Sequence, residues 1–230
     1  MLRNRITGAP GHALRLYYCQ GTVDQPSLIA NNFFHSNSGY GTVYILYGLN
    51  HTNIYHNSVH NTSTGPAFEF NRYQSTGSRV VNNIFKATSG YAVEYQNATA
   101  NTLLESDYNN LFTSGSFIGR IGSTTYGSLA SWQSASGFEA NAVSYDPQFQ
   151  SDTDLYASAP GIASAGTDLL TVVPTDIDGV ARTVTPSLGA TQFSAAALTP
   201  LSGTYTIGTG AFDYGSVTAA IDAMKINGIN

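Results

Sequence analysis

One short phrase recurs in this chain and constrains its fold more than any other feature. It reads "LIANNFFH" (28–35), "NIYHNSVH" (53–60), "RVVNNIFK" (79–86) and "SDYNNLFT" (106–113). Aligned on its asparagine, it places Asn32, Asn57, Asn83 and Asn110 in one column at steps of 25, 26 and 27 residues. A near-constant period of this length marks a repeat architecture. Each unit is too small to bury its own apolar face and completes its core by stacking on a copy.

The columns around the asparagine say what a unit contains. Ile29, Ile54 and Val80 lie three residues before it, with Asp107 in the fourth register; Phe34, Val59, Phe85 and Phe112 lie two residues after. A second family of segments follows glycine: "GHALRL" from Gly11, "GYGTVYI" from Gly39, "GPAFEF" from Gly65 and "GYAVEY" from Gly90. There Leu14/Leu16, Val43/Ile45, Phe68/Phe70 and Val93/Tyr95 alternate with other residues, the period of two of a strand with one buried face. The expected unit is two or three short strands joined by tight polar turns, with no helical stripe. In such a stack equivalent residues sit ~4.8 Å apart. Asn32, Asn57, Asn83 and Asn110 are therefore expected to form a structural ladder of side-chain amides.

Composition agrees. Charged residues make up 10% of the 230 residues, with 23 glycines and 15 tyrosines, as suits an all-β chain rich in turns. Nine Lys and Arg against 14 Asp and Glu, with no basic run, argue against nucleic acid as a partner. The single cysteine, Cys19, allows no intrachain disulfide and reads as a small core residue. No apolar stretch approaches the ~20 residues of a membrane span, and "MLRNRITGAPGH" (1–12) lacks the apolar segment of a signal peptide.

Over about residues 11–113 the asparagine turn and its "G-x-A-x-E-x" strands resemble the parallel β-helix proteins of the pectate-lyase-like superfold. The resemblance implies a right-handed, single-stranded parallel β-helix, a solenoid with rungs of ~25 residues; the right hand also follows from the usual crossover of parallel strands. From about residue 114 the period is lost. Trp132, then "DPQF" (146–149), "DLYASAPGIASAG" (154–166) and "DIDGVARTVTPSLGA" (176–190) resemble the C-terminal part of secreted β-helix proteins of the Bacteroidetes type. This implies irregular final rungs that cover the open end of the core, with a short helix near Ser128 to Gln133. The expected domain thus runs over 1–193. Residues 194–203 read as a small, polar, proline-containing linker. Residues 204–230 resemble the opening of another β-helix, with a capping helix at about 214–225 whose face carries Val217, Ile221 and Met224. The chain accordingly reads as a fragment of a longer protein with tandem β-helices.

Groups with chemical potential are few. Glu69 and Glu94 share a column with Arg15 and Tyr44 on the outward face of one sheet. They form either a solvated face or, in the alternative reading, the two carboxyls of a glycosidase or lyase. His35 and His60, continued by Lys86, form another column: exposed turn residues, or a pair able to share a metal. "SDTD" (151–154) and "DID" (176–178) admit calcium, or an aspartate contact to Arg182 that fixes the end. No phosphate loop, "GxSxG" elbow or "HExxH" helix is present. Tyrosines beside the strands suit sugar rings, with amides for hydroxyls. The ligand-contacting set expected from sequence is Tyr44, Glu69, Glu94 and Tyr95. The functional expectation is a noncatalytic extracellular or cell-surface module: an adhesin, stalk or glycan-contacting surface. Its partners would be a polysaccharide or surface glycan and the neighbouring β-helix domains of its parent chain. No membrane insertion and no cofactor are expected, calcium being the one ion the acidic turns admit. The alternative is a polysaccharide lyase or hydrolase of the same fold using Glu69 and Glu94.

Overall fold

A computed structural model of the chain describes residues 1–47, 49–70, 76–96, 103–195, 204, 206–208, 217 and 220. Its strands, numbered in chain order, are β1 (Arg5–Ala9), β2 (Leu14–Tyr17), β3 (Ser27–Ala30), β4 (Phe33–Ser36), β5 (Val43–Tyr47), β6 (Thr52–Tyr55), β7 (Ser58–Asn61), β8 (Phe68–Phe70), β9 (Ser78–Val81), β10 (Ile84–Ala87), β11 (Val93–Tyr95), β12 (Leu103–Asp107), β13 (Asn110–Thr113), β14 (Gly119–Ile121) and β15 (Thr124–Tyr126). They stack into three sheets in the orders β3-β6-β9-β12, β1-β4-β7-β10-β13 and β2-β5-β8-β11-β14-β15. Every pairing is parallel except β14 with β15. This is an all-β parallel β-helix of about four turns, with three strands per rung.

The alternation places Ile29, Ile54 and Val80, then Phe34, Val59, Phe85 and Leu111, then Val43, Ile45, Phe68, Phe70, Val93 and Tyr95 in one continuous core. Where the backbones of successive rungs come closest, no side chain fits. A Cβ on Gly65 would lie 2.2 Å from the Tyr40 carbonyl oxygen, and one on Gly90 would lie 2.1 Å from that of Gly65. Gly65 and Gly90 are therefore a requirement of rung spacing, whereas Gly11 and Gly39 leave room for a side chain.

Between the four- and five-stranded sheets the chain turns through a single left-handed residue: Arg3, Asn31, His56, Asn82 or Tyr108, with φ between 51° and 61°. The residue after it carries the ladder. Asn32 donates from both its backbone N–H and Nδ2 to Asn57 Oδ1 (3.1 and 2.8 Å). Asn57 does the same to Asn83 (2.9 and 3.0 Å), and Asn83 to Asn109 (2.9 and 3.0 Å). The fourth member is thus Asn109, not Asn110. Asn110 opens β13 opposite Ile84, and its side chain bonds the N–H and carbonyl of Tyr145 (both 2.9 Å). Aligning the fourth repeat on Phe112 shifts it by one residue, because Leu111 takes the inward place opposite Phe85 and Phe112 lies opposite Lys86. The register holds at Ser106, which lies opposite Val80.

The ladder extends beyond the repeats legible in the sequence. Asn4 donates from N–H and Nδ2 to Asn32 Oδ1 (both 2.9 Å). At the other end no further asparagine follows Asn109 in the ladder. Glu139, 1% exposed, receives Asn109 Nδ2 on both carboxylate oxygens (2.9 and 3.1 Å) and Ser106 Oγ at 2.6 Å. An acceptor-only group thus ends a chain of donors. Burial pushes its carboxyl up to about 7, against these hydrogen bonds, which favour the ionised form.

The segment after the rungs does two things. Helix α1 (Leu129–Ser136), capped by Ser128 and by Gly137 at φ 73°, inserts Trp132 against Tyr95 and Tyr126 and closes the core end. The remainder differs from the expected irregular rungs. Apart from one parallel bridge of Val143 to Asn110, it runs back as a strap along the outer face of the five-stranded sheet. Ala157, Ala159, Ile162 and Leu188 pack on Ile84, while Leu155, Ile177 and Ala190 pack on Phe33. Leu169 and Val173 cover Ala30, Tyr55 and Val81 of the four-stranded sheet.

The closing motif is the clasp of this strap. Arg182, buried, donates to Asn31 Oδ1 (2.7 Å) and to the carbonyls of Gly189 and Ser187 (3.0 and 3.4 Å); burial lowers its pKa to about 10. The expected aspartate contact to Arg182 is replaced by this bond to the turn column. Asp176 instead accepts the N–H groups of Asp178, Val180 and Gln192 (2.9, 2.8 and 2.8 Å). Gly189, at φ 81°, fits where a Cβ would meet Ile84 at 2.5 Å, and it donates to the Asn82 carbonyl (2.8 Å).

The chain divides into two compact units, Met1–Phe193 and Ser194–Asn230. Of the expected linker, residues 196–203 lie outside the described residues; so does most of the expected capping helix, including Ile221 and Met224. Val217 and Ala220 are described and helical. Among the described residues no helix is long and apolar enough to cross a membrane.

Two predictions follow from the ladder. Asn57→Ala strips donors and acceptors from buried neighbours on both sides and is expected to cost on the order of 1–3 kcal/mol per group left unpaired. Asn37→Ala, at an exposed position, should cost under about 0.5 kcal/mol; urea unfolding of the two variants compares them. For Glu139 the folded pKa lies above the unfolded one. Its contribution is therefore complete below about pH 4.5 and is lost as pH rises through about 7. The stability difference between wild type and Glu139→Gln should shift against wild type by on the order of 2–3 kcal/mol between pH 5 and pH 8. A pH-independent difference would show that the carboxyl titrates normally.

Candidate functional site

The outward residues of the six-stranded sheet form the column Arg15, Tyr44, Glu69, Glu94 and Arg120, set by the registers of β2, β5, β8, β11 and β14. Sequence reasoning places Tyr44, Glu69 and Glu94 here, and they are adjacent. Tyr95 is not part of this face. It is 1% exposed and packs between Phe70 and Trp132, because alternation from outward Glu94 turns it into the core.

The glutamates are buried groups with fixed partners, at 9% and 4% exposure, which corrects the expectation of a solvated face. Glu69 accepts the Gly41 N–H on Oε2 (3.0 Å) and the Gln96 amide on Oε1. Glu94 pairs with Arg120 at 2.5 Å, and the guanidinium also lies 5.1 Å from the Tyr91 ring centre. Burial raises the Glu69 pKa, and the neighbouring Glu94 charge adds to the rise.

Toward the N-terminal rungs the same face becomes aromatic. His12 stacks on Tyr44 (ring centres 4.9 Å apart), tilts against Tyr40 (5.5 Å) and donates from Nδ1 to the Gly41 carbonyl (2.6 Å). Arg15 lies 5.8 Å over the Tyr44 ring. Beyond it Tyr17, Tyr18 and Tyr47 form a cluster. Tyr17 meets Tyr18 and Tyr47 edge-on at 4.5 and 5.5 Å, and Tyr18 lies near-parallel to Tyr47 at 6.0 Å. Tyr17 is 56% and Tyr18 50% exposed. Tyr18 takes a left-handed conformation, φ 54°, with its N–H on the Tyr47 carbonyl, and this turns its ring back toward Tyr47. Tyr17 and Tyr47 are visible in the sequence as tyrosines at strand ends. Tyr18 is assigned to no face by alternation, and only the turn brings it in.

The histidine column lies elsewhere. His35 and His60 are opposite one another in β4 and β7, ring centres 5.9 Å apart, and both are buried rather than exposed in turns, because the strap covers their sheet. Each is committed to protein partners. The Gly8 N–H donates to His35 Nδ1 (2.9 Å), so His35 Nε2 donates to Thr62 Oγ1 (3.0 Å). His60 has the opposite tautomer, donating from Nδ1 to the Asp152 carbonyl (3.2 Å). Burial lowers both pKa values, that of His60 to about 4. Among the described residues no three His, Cys, Asp or Glu side chains gather as a metal site. Asp178, in one of the two acidic turns, is held by Arg5 and Tyr156 (both 2.7 Å).

No family model, no curated protein and no solved structure matches this chain.

The pairing of Glu94 has a measurable consequence. Arg120→Met leaves a buried carboxylate beside Glu69 and is expected to cost about 2 kcal/mol, a value reduced by the partial exposure of Arg120. Adding Glu94→Gln should restore most of that loss, and Glu94→Gln alone should lower the Glu69 pKa in a carboxyl-carbon NMR titration.

Proposed function

We propose that this chain is a noncatalytic β-helix module of a larger extracellular or cell-surface protein and that the outer face of its six-stranded sheet contacts glycans. The observation that carries this reading is the cluster of exposed Tyr17 and Tyr18 with half-buried Tyr47, beside Arg15 and Tyr44. Tyrosine rings held by one another lose little side-chain freedom on binding and offer apolar faces to the C–H side of a sugar ring, while the phenols and the guanidinium suit its hydroxyls. The repetitive stack suits a stalk or adhesin, and neighbouring units in a tandem array would be further β-helices. The carboxylates support a structural role, since Glu94 is neutralised by Arg120 and Glu69 is bonded on both oxygens.

One observation favours a second reading. Two carboxyls lie one rung apart, and one has a raised pKa with the other as a contributing cause, a pattern shared with the acid–base pairs of glycosidases. In that reading Glu69 is the acid and Glu94 its partner in a hydrolase or lyase.

A glycan array followed by calorimetry on the best ligand separates the two. In the binding reading Tyr17→Ala, Tyr18→Ala and Tyr47→Ala each lower affinity about 3–10-fold, the equivalent of roughly 0.7–1.4 kcal/mol, and the glycan is recovered intact. Ligand turnover that disappears in Glu69→Gln and Glu94→Gln would replace the binding reading by the catalytic one.

A further inference from the structure

Three of the chain's five histidines lie under one element, the strap. His35 and His60 face it from the five-stranded sheet and His56 from the left-handed turn column, and none is more than 4% exposed. His60 meets Phe149 and the Asp152 carbonyl of the strap, with Lys86, His35 and the Asp152 carboxylate as its charged or titratable neighbours. His35 has His60 and Asp152. His56 meets Arg182 and Gly189 of the strap and Asn82 of the next rung. Among the described residues Arg182 is the charge that bears on it.

The bonds around His56 leave no room for a second proton. Asn82 Nδ2 donates to His56 Nε2 (3.0 Å) and to the Thr167 carbonyl (2.8 Å), while Asn82 Oδ1 accepts the Thr167 N–H (2.9 Å). The two Thr167 bonds fix which end of the amide is oxygen, so the group facing His56 is a donor and Nε2 is a bare acceptor. The ring proton is then on Nδ1, which lies near the Gly189 carbonyl but outside hydrogen-bond geometry. A proton on Nε2 would set N–H against N–H. Turning the Asn82 amide relieves that clash only by setting Nδ2 against the Thr167 N–H and Oδ1 against the Thr167 carbonyl, which breaks both bonds to the strap. The charged ring would also stand as a second buried cation near Arg182.

We propose that His56 and Asn82 form a proton-operated latch: with His56 neutral the strap is held at Thr167, and in acid the protonated ring releases it while the rungs stay stacked. Burial, with Arg182 adding to it, holds the His56 pKa well below its ordinary value, and burial lowers that of His60 to about 4. Both rings therefore bind protons more strongly with the strap open than with it closed. The closed strap is fully favoured above about pH 6.5, and below that each of the two histidines weakens it about tenfold per pH unit, or about 30-fold at pH 5. Glu139 acts with the opposite sign, because its carboxyl, raised to about 7, takes up its proton over the same range and the end of the ladder tightens. The ladder bonds of Asn57 and Asn83 use no histidine. Acid thus loosens the strap and spares the rungs.

Hydrogen exchange followed by NMR on the full chain, with intrinsic exchange rates corrected for pH, tests this between pH 7.5 and pH 5, above the range in which ordinary aspartates titrate. The Thr167 and Gly189 amides, which both bond Asn82, should lose protection about 30-fold or more, while the Asn57 and Asn83 amides of the ladder keep theirs. His56→Asn supplies, at φ 51°, the residue that Asn31 and Asn82 place in the same column, and it cannot take up a proton. Its loss of protection at Thr167 should be smaller by about tenfold or more. Nitrogen NMR of the wild-type ring should show His56 neutral with its proton on Nδ1 at pH 7.5, and neither wild-type reading depends on the variant folding. Protection at Thr167 that ignores pH, an equal loss in His56→Asn, ladder amides that open together with the strap, or a proton on Nε2 at pH 7.5 would each overturn the proposal.

Discussion

A left-handed residue followed by a buried asparagine is the constraint on which the unit Met1–Phe193 depends. The tight turn between the four- and five-stranded sheets leaves backbone N–H groups facing neither strand nor solvent. The asparagine after the turn answers this by accepting the N–H of the rung before it and donating to the rung after it. Because the same side chain also bonds the carbonyl two residues upstream, as Asn57 does to Tyr55 and Asn83 to Val81, it fixes the turn's own geometry. Both flanking sheets then inherit their register from one column, and the inward positions of Ile54 and Val59 follow. A slip of one residue would bury Tyr55 and Ser58 in the core and expose the aliphatic set.

The strap depends on the neighbouring column. Asn31 and Asn82, the left-handed residues, point away from the core. They hold Thr175, Arg182 and Thr167 through side-chain bonds of 2.7–2.9 Å. One turn thus has two faces, the ladder residue binding rung to rung and the left-handed residue binding rungs to strap. His56, in the same column, takes the Asn82 amide on Nε2 (3.0 Å). Burial, with Arg182 nearby, keeps its pKa well below the ordinary value, so no second cation is placed beside the clasp.

How much of this was legible in the sequence depended on whether a feature repeats. The period, the inward columns and the outward pairing of Glu69 with Glu94 recur every 25 or 26 residues and could be read directly. The alignment places the fourth rung one position too far along because "YNNLF" offers two asparagines, and only the left-handed Tyr108 decides between them. Tyr95 belonged to the core by the same alternation that placed Val93 there, so its orientation was legible and its assignment to a ligand surface was not consistent with it. Glu139 could not be found: it occurs once, thirty residues from Asn109, and nothing in "GFEANA" marks it as the end of a ladder. The burial of His35 and His60 was hidden for the related reason that their cover is a nonperiodic strap.

That strap also decides where a ligand surface can lie. On the five-stranded sheet the outward residues Phe33 and Ile84 are consumed by packing, and on the four-stranded sheet Tyr55 and Val81 are partly so. The six-stranded sheet has no such cover among the described residues over its N-terminal rungs, where Arg15, Tyr17 and Tyr18 remain exposed. Within that sheet the outward column passes from paired charge at Glu94 and Arg120 to stacked aromatics at Tyr44 and Tyr47. Its charges are paired internally through Glu94 and Arg120, while its aromatic half packs its rings against one another and leaves their faces in part to solvent. Uncovered aromatic area of this kind costs free energy in the unbound protein unless something apolar is placed on it. The proposed binding surface is accordingly the sheet that the strap leaves bare, and the strap is held in place by the asparagine turns.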